Sequence, residues 1–116
     1  VIDGFMAQTG DVQFGKVGGD FSMVGSGGSD MPNLPQEFSN IQFDRGIVGM
    51  ARSQNPNSAN SQFFIMFKEG YFLNGQYTVV GKVVEGMEVV DDIKLGLGSN
   101  GLVLGSPDFM EQVRRK

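Results

Sequence analysis

The chain contains neither cysteine nor histidine. Those two absences together remove thiolate nucleophiles, disulfides, Ser-His triads and the usual structural zinc ligands. Carboxylates are the strong metal ligands that remain, and no metal site or cofactor is expected. A lack of cysteine is compatible with any redox compartment. No apolar run reaches the roughly 18 to 20 residues that a membrane span requires, so no membrane partner is expected. Basic charge is scarce: 9 Lys and Arg stand against 13 Asp and Glu, for a formal net charge of -4. Nucleic-acid affinity rests on clustered Lys and Arg, so a nucleic-acid partner is not expected either.

What is present suits one compact core. A length of 116 residues supports a single domain over 1–116 and not two, and 40% hydrophobic with 19% charged residues fits a globular chain rather than a disordered one. Val1 to Gln8 reads as a strand interrupted at Asp3-Gly4. From Thr9 to about Gln36 the chain is rich in Gly with Pro32 and Pro35, so regular structure there should be sparse. A loop of that length in a compact domain is usually functional or disordered. Gly46 to Ala51 reads as a buried strand whose glycines permit close approach, Gln62 to Phe67 as a second and Tyr77 to Val84 as a third. Glu85 to Lys94 places Met87, Val90 and Ile93 on one helical face, with acidic residues early and Lys94 late. The pattern predicts a mainly β domain with at least one short helix.

Two apolar runs each carry a glutamine: Gly4-Phe5-Met6-Ala7-Gln8 and Ser61-Gln62-Phe63-Phe64-Ile65-Met66-Phe67. Aromatic and thioether side chains beside neutral hydrogen-bonding groups suit an apolar peptide side chain and its amide. A buried amide needs partners and costs about 1 to 3 kcal/mol without them. Gln8 and Gln62 therefore either bridge backbone groups between strands or face a ligand, and the aromatic set Phe5, Phe63, Phe64, Phe67 and Phe72 is either core or pocket wall. Gly25-Ser26-Gly27-Gly28-Ser29 lacks the Lys-Ser/Thr and the strand-to-helix setting of a phosphate loop, so it reads as a turn or a ligand-facing rim. Asp91-Asp92 and Arg114-Arg115-Lys116 read as solvated surface.

Six segments, in order and at consistent spacing, resemble the cyclophilins, the peptidyl-prolyl cis-trans isomerase family, in a bacterial form. They are Val1 to Asp11, Gly25 to Gly28, Gly49-Met50-Ala51-Arg52-Ser53, Asn57 to Ile65, Phe72 to Val83 and Gly86 to Asp91. The resemblance implies a closed eight-stranded antiparallel β-barrel with two capping helices, and binding of an extended Xaa-Pro peptide on its outside. It places the proline ring among Phe5, Met6, Phe64 and Leu73, with Phe63 turned the other way. Gln8 takes the place of the family glutamine near the substrate backbone, and Gln8, Phe5 and Phe64 are the implied catalytic positions. Met50 and Ala51 adjoin Arg52, whose main chain is implied to pair with substrate while its side-chain identity is secondary. Ser53, Ser58, Asn60, Ser61 and Gln62 would shape a neighbouring pocket, with Ser26 across from them, and Phe72 and Tyr77 complete the implied substrate-binding set. The implied partners are proline-containing peptides and unfolded proteins. Rotation about an Xaa-Pro bond breaks no covalent bond, so the missing nucleophiles fit that activity.

Three departures qualify the resemblance. Phe72 stands where eukaryotic members often carry Trp, and Tyr77 where many carry His. Phe has no indole donor, so cyclosporin is expected to bind weakly. In the family, an arginine in a Phe-His-Arg-type sequence just before the position of Val1 donates to the proline nitrogen, and neither it nor the opening strands and first helix is among these residues. The expectation is therefore an N-terminally incomplete cyclophilin domain. The function the resemblance implies is Xaa-Pro isomerisation in protein folding, with a non-catalytic proline-peptide binding module as the alternative because that arginine is absent. The expected location is cytoplasmic.

Overall fold

A computed structural model describes residues 1–116. Four short strands form its only sheet: β1 (Met6–Thr9), β2 (Ile47–Met50), β3 (Phe63–Met66) and β4 (Val79–Lys82), in the order β1-β3-β2-β4 and antiparallel throughout. The molecule is mainly β, as its sequence pattern implies, with one α-helix, α1 (Met87–Asp91), and 3-10 turns at Phe21–Met23 and Tyr71–Leu73. The sheet is open, with β1 and β4 at its edges, so the closed eight-stranded barrel is not formed by these residues.

Register decides what each face carries, because residues paired across antiparallel strands share a face. Gln8, Phe64 and Gly49 form one row across β1, β3 and β2, since Gln8 and Gly49 each pair with Phe64. Thr9, Phe63 and Met50 form the next row, on the opposite face. The core lies on the Phe64 face and consists of Phe43, Ile47, Phe64, Met66 and Leu73, with Phe5, Met6, Ala51, Tyr77 and Val79 packed around it. Phe43 and Phe64 stack at 5.8 Å between ring centroids, and Tyr77 meets Phe64 edge-on at 5.7 Å. Gly49 makes this possible: a Cβ there would lie 2.6 Å from the Phe64 ring and 2.8 Å from the Phe43 ring. The close approach at this strand glycine is thus of aromatic rings.

The helix is shorter than its apolar periodicity suggests. It starts from Gly86 at φ 85° and closes with i to i+3 bonds, Asp92 N–H to Val89 O at 3.1 Å and Ile93 N–H to Val90 O at 3.2 Å. The next N–H, of Lys94, donates instead to Asp108 Oδ2 at 2.7 Å, which takes the chain out of the helix. Arg45 anchors α1 to the strands. Its guanidinium donates to both Asp91 carboxylate oxygens at 2.9 and 2.7 Å and to Phe67 O at 2.8 Å. Those hydrogen bonds hold the exposed Asp91 carboxyl below its ordinary range.

The glycine-rich segment after β1 is nearly devoid of regular structure, as its composition predicts, yet it is tied down. Asp11 is its anchor. Oδ1 accepts the N–H groups of Gln13 at 3.0 Å and Phe14 at 2.8 Å, and Oδ2 those of Gly25 at 2.8 Å and Gly27 at 3.0 Å. Burial pushes this carboxyl's pKa up, but the four backbone donors outweigh it and leave the pKa below the ordinary value.

Candidate functional site

The row Gln8, Phe64, Gly49 opens at one end of the sheet onto a small apolar cavity of about 140 Å³. Phe5 and Met6 reach it from the start of β1, Phe64 from β3 and Leu73 from the 3-10 turn, with Gln8, Ala51, Arg52 and Tyr77 completing the wall. Leu73 is held by its N–H on Gly70 O at 3.0 Å. The turn before β1 is set by Gly4 at φ 68° and by paired bonds between Ile2 and Met6, which bring Phe5 to the rim.

A second cavity of about 470 Å³ shares Gln8, Ala51 and Arg52 with the first and has a polar lining. Ser26, Ser53, Ser58, Asn60, Ser61 and Gln62 all border it. Most of these side chains spend their hydrogen bonds on shaping the wall. Asn60 Oδ1 accepts from the N–H and Oγ of Ser29, both at 2.8 Å, while its Nδ2 donates to Met31 O and Asn33 Oδ1. Ser58 Oγ accepts from Ser53 N–H and Ser53 Oγ at 2.9 and 2.8 Å and donates to Asn55 O. Ser61 differs: its Oγ is buried without a partner. Such a group costs about 1 to 3 kcal/mol until something pairs with it.

Arg52 sits between the two cavities. Its backbone N–H and carbonyl take part in none of the chain's backbone hydrogen bonds, so both are free for a peptide. Its side chain is engaged within the molecule. Nε and one terminal nitrogen donate to Gln76 O at 3.0 and 2.6 Å, and the other terminal nitrogen to Ser53 O and Gln54 O at 2.9 and 3.3 Å. The guanidinium also lies 4.6 Å from the centroid of the Tyr77 ring, a cation–π contact.

The two glutamines part company. Gln62 does the bridging: its Nε2 donates to Gly25 O at 3.0 Å and Gly27 O at 2.8 Å, joining the glycine-rich segment to the start of β3. Gln8 donates to Gln62 Oε1 at 3.0 Å, accepts no hydrogen bond at its own oxygen, and borders both cavities.

Met50 and Phe72 are not brought to these walls. Met50 lies in the Phe63 row on the opposite sheet face, a consequence of register that composition does not reveal. Phe72 is 72% exposed and leans on Phe5 at 5.5 Å outside the apolar cavity. Ser29 belongs to the polar wall, as a rim reading of the glycine-rich segment allows, whereas Asn33 joins it without any local signal, held by Asn60 some thirty residues later. Phe43 is fully buried behind Phe64, in a segment with no apolar periodicity.

Comparison with known proteins gives the same direction. A family model described as cyclophilin type peptidyl-prolyl cis-trans isomerase/CLD matches residues 1–112. A probable peptidyl-prolyl cis-trans isomerase of Brucella abortus is 66% identical over 110 residues, covering 93% of this chain and 56% of the relative. A peptidyl-prolyl cis-trans isomerase-like 3 of Gallus gallus is 40% identical over 95 residues, covering 80% of this chain and 54% of that protein. This chain thus spans about half the length of the curated relatives it matches. Among solved structures, a cyclophilin type isomerase of Cryptosporidium parvum, crystallised in the presence of the dipeptide Ala-Pro, superposes with a TM-score of 0.67 at 29% identity, covering 89% of this chain and 64% of that one. A cyclophilin of Hirschia baltica shares the fold with a TM-score of 0.66 at 23% identity, covering 83% of this chain and 52% of that one. With the family model matched along nearly its whole length, the chain belongs to the cyclophilin-type peptidyl-prolyl cis-trans isomerase family.

Proposed function

We propose that this chain forms the substrate-binding part of an enzyme that accelerates rotation about Xaa-Pro bonds in peptides and unfolded proteins. The observation that carries this is the juncture of the two cavities at Gln8, Ala51 and Arg52. A proline ring fits the apolar one, lined by Phe5, Met6, Phe64 and Leu73, while residues before the proline lie along the polar one. The amide between them then falls beside the free main chain of Arg52 and the free oxygen of Gln8.

The chemistry needs little more. Rotation must overcome roughly 18 to 20 kcal/mol of amide resonance, and a site that grips the ring and the flanking chain better in the twisted geometry than in either planar one lowers that barrier. Loss of resonance concentrates charge on the proline nitrogen, which a cation can stabilise. Arg45 is committed to Asp91 and Phe67, and the Arg52 guanidinium to three carbonyls, so neither is disposed to do this. The resemblance assigns that role to an arginine just ahead of the Val1 position. Val1 borders a cavity with Met6 and Gln8, so a residue there would stand beside Gln8. We also infer that in the whole protein the exposed strand edges of β1 and β4 are covered by barrel closure, since open edges invite aggregation.

Cyclosporin is expected to bind weakly, because Phe72 offers no donor. The deciding experiment is exchange NMR on a capped Ala-Ala-Pro-Ala peptide. Catalysis appears as cis–trans exchange cross-peaks at substoichiometric protein, with shifts at Phe5, Met6, Phe64 and Leu73. In a protein that carries the arginine-bearing segment ahead of the Val1 position, binding without exchange would refute catalysis, and no binding would refute the site.

A further inference from the structure

An amide side chain has chemically opposite ends, so its orientation decides what it can bind. For Gln8 that orientation is set from a distance. The buried Asp11 carboxylate grips the N–H groups of Gly25 and Gly27, which leaves the carbonyls of the same two residues to accept both protons of Gln62 Nε2. Gln62 must then present Oε1 to Gln8, and Gln8 must donate to it. Turning the Gln62 amide over would set its oxygen against two carbonyl oxygens. The segment closes this tightly only because residue 27 is glycine: a Cβ would lie 2.5 Å from Asp11 Oδ1 and 2.7 Å from Gln13 Cβ.

We propose that Asp11 and Gln62 are positioning residues that, through Gly25 and Gly27, hold the Gln8 amide in one orientation, leaving a free Oε1 and one free N–H as the complementary pair for a substrate peptide unit. This rests on the function proposed above. Asp11 borders neither of the two cavities that meet at Gln8, and acts only through the chain of hydrogen bonds. The same segment supplies Ser26 and frames the polar cavity, so one anchor sets both the wall and the glutamine.

The test uses two variants and side-chain amide NMR of the peptide-free protein. In the parent, both Gln62 amide protons exchange slowly with water, and the two Gln8 protons differ, one protected and one free. Asp11→Asn turns an N–H donor toward Gly25 and Gly27 and is expected to abolish the protection at Gln62 and make the Gln8 protons alike. Gln62→Met keeps volume, spares Asp11 and is expected to have the same effect at Gln8. In peptide assays Asp11→Asn should lower kcat about tenfold, the scale of one well-placed hydrogen bond, with KM changed less than about threefold because Asp11 borders neither cavity. Unchanged Gln8 amide signals in Gln62→Met, or in a folded Asp11→Asn, overturn the proposal, as does a loss confined to KM. Because the amide signals are read without peptide, they test the positioning even if the parent fails to bind proline peptides, a result that would instead overturn the functional reading.

Discussion

Replacing Gly49 by alanine adds one methyl group where β2 crosses the core. The backbone there has no positive φ, so alanine is conformationally welcome and by itself would gain about 0.4 to 1 kcal/mol through the unfolded chain. The obstacle is packing. The new Cβ would sit 2.6 and 3.0 Å from two atoms of the Phe64 ring and 2.8 Å from Phe43, and those rings are 4% and 0% exposed. Neither can swing into solvent, so the strand or the rings must shift. Overpacking of this kind costs about 1 to 3 kcal/mol. Gly81 in β4 is the matched control: it too lacks positive φ, and a Cβ there meets nothing within 4 Å. Gly81→Ala should therefore be neutral or stabilising, and Gly49→Ala should fall about 2 kcal/mol below it. Urea unfolding of both variants, with equal slopes, measures the difference. Phe64 is also a wall of the apolar cavity, so Gly49→Ala should weaken proline-peptide affinity while Gly81→Ala leaves it unchanged. Equal stability of the two alanine variants, within about 0.5 kcal/mol, would refute the packing argument, since surface-like substitutions scatter by that amount.

Asp11→Asn should be destabilising by about 2 to 3 kcal/mol at neutral pH, because hydrogen bonds to a carboxylate are replaced in part by donor-to-donor contacts. Since Asp11 has a depressed pKa in the folded state, its contribution is complete above the unfolded carboxyl range near 4 and is lost as pH falls through the lower folded value. The gap between parent and Asp11→Asn should accordingly be constant from about pH 7 to 5 and narrow below about pH 4, as urea midpoints across that range would show. Arg52→Lys cannot span the carbonyls of Gln76, Ser53 and Gln54 or lie flat on Tyr77, and should weaken peptide affinity severalfold, measured by calorimetry, with the backbone contact unchanged. Phe72→Trp adds an exposed donor beside Phe5, outside the apolar cavity, and should tighten cyclosporin about fivefold to tenfold, read by titration.

Much of the fold was legible because strands announce themselves locally. The apolar runs at Gly46 to Ala51, Gln62 to Phe67 and Tyr77 to Val84 contain β2, β3 and β4, and the glycine-rich tract after β1 is irregular as its composition requires. Helix length was less legible, since α1 ends at Asp91 and Asp108, far along the chain, captures the Lys94 N–H that a longer helix would use. Phe43 carries no periodic signal, and its burial depends on Gly49 leaving room for its ring.

Residue types and their order along the chain were enough to identify the family and to single out Phe5, Met6, Phe64, Leu73 and Gln8, which the fold brings to the wall of one cavity. Both glutamines looked alike at that level, each a polar group in an apolar run. The tertiary structure separated them. Asp11 fastens the segment whose carbonyls claim both amide protons of Gln62, and only then does Gln8 have a single way to turn. Register likewise put Met50 on the far face and left Phe64 facing the cavity. Sequence states which hydrogen-bonding groups a chain owns. Which partner each one meets depends on residues tens of positions away, and so is settled only when the chain has folded.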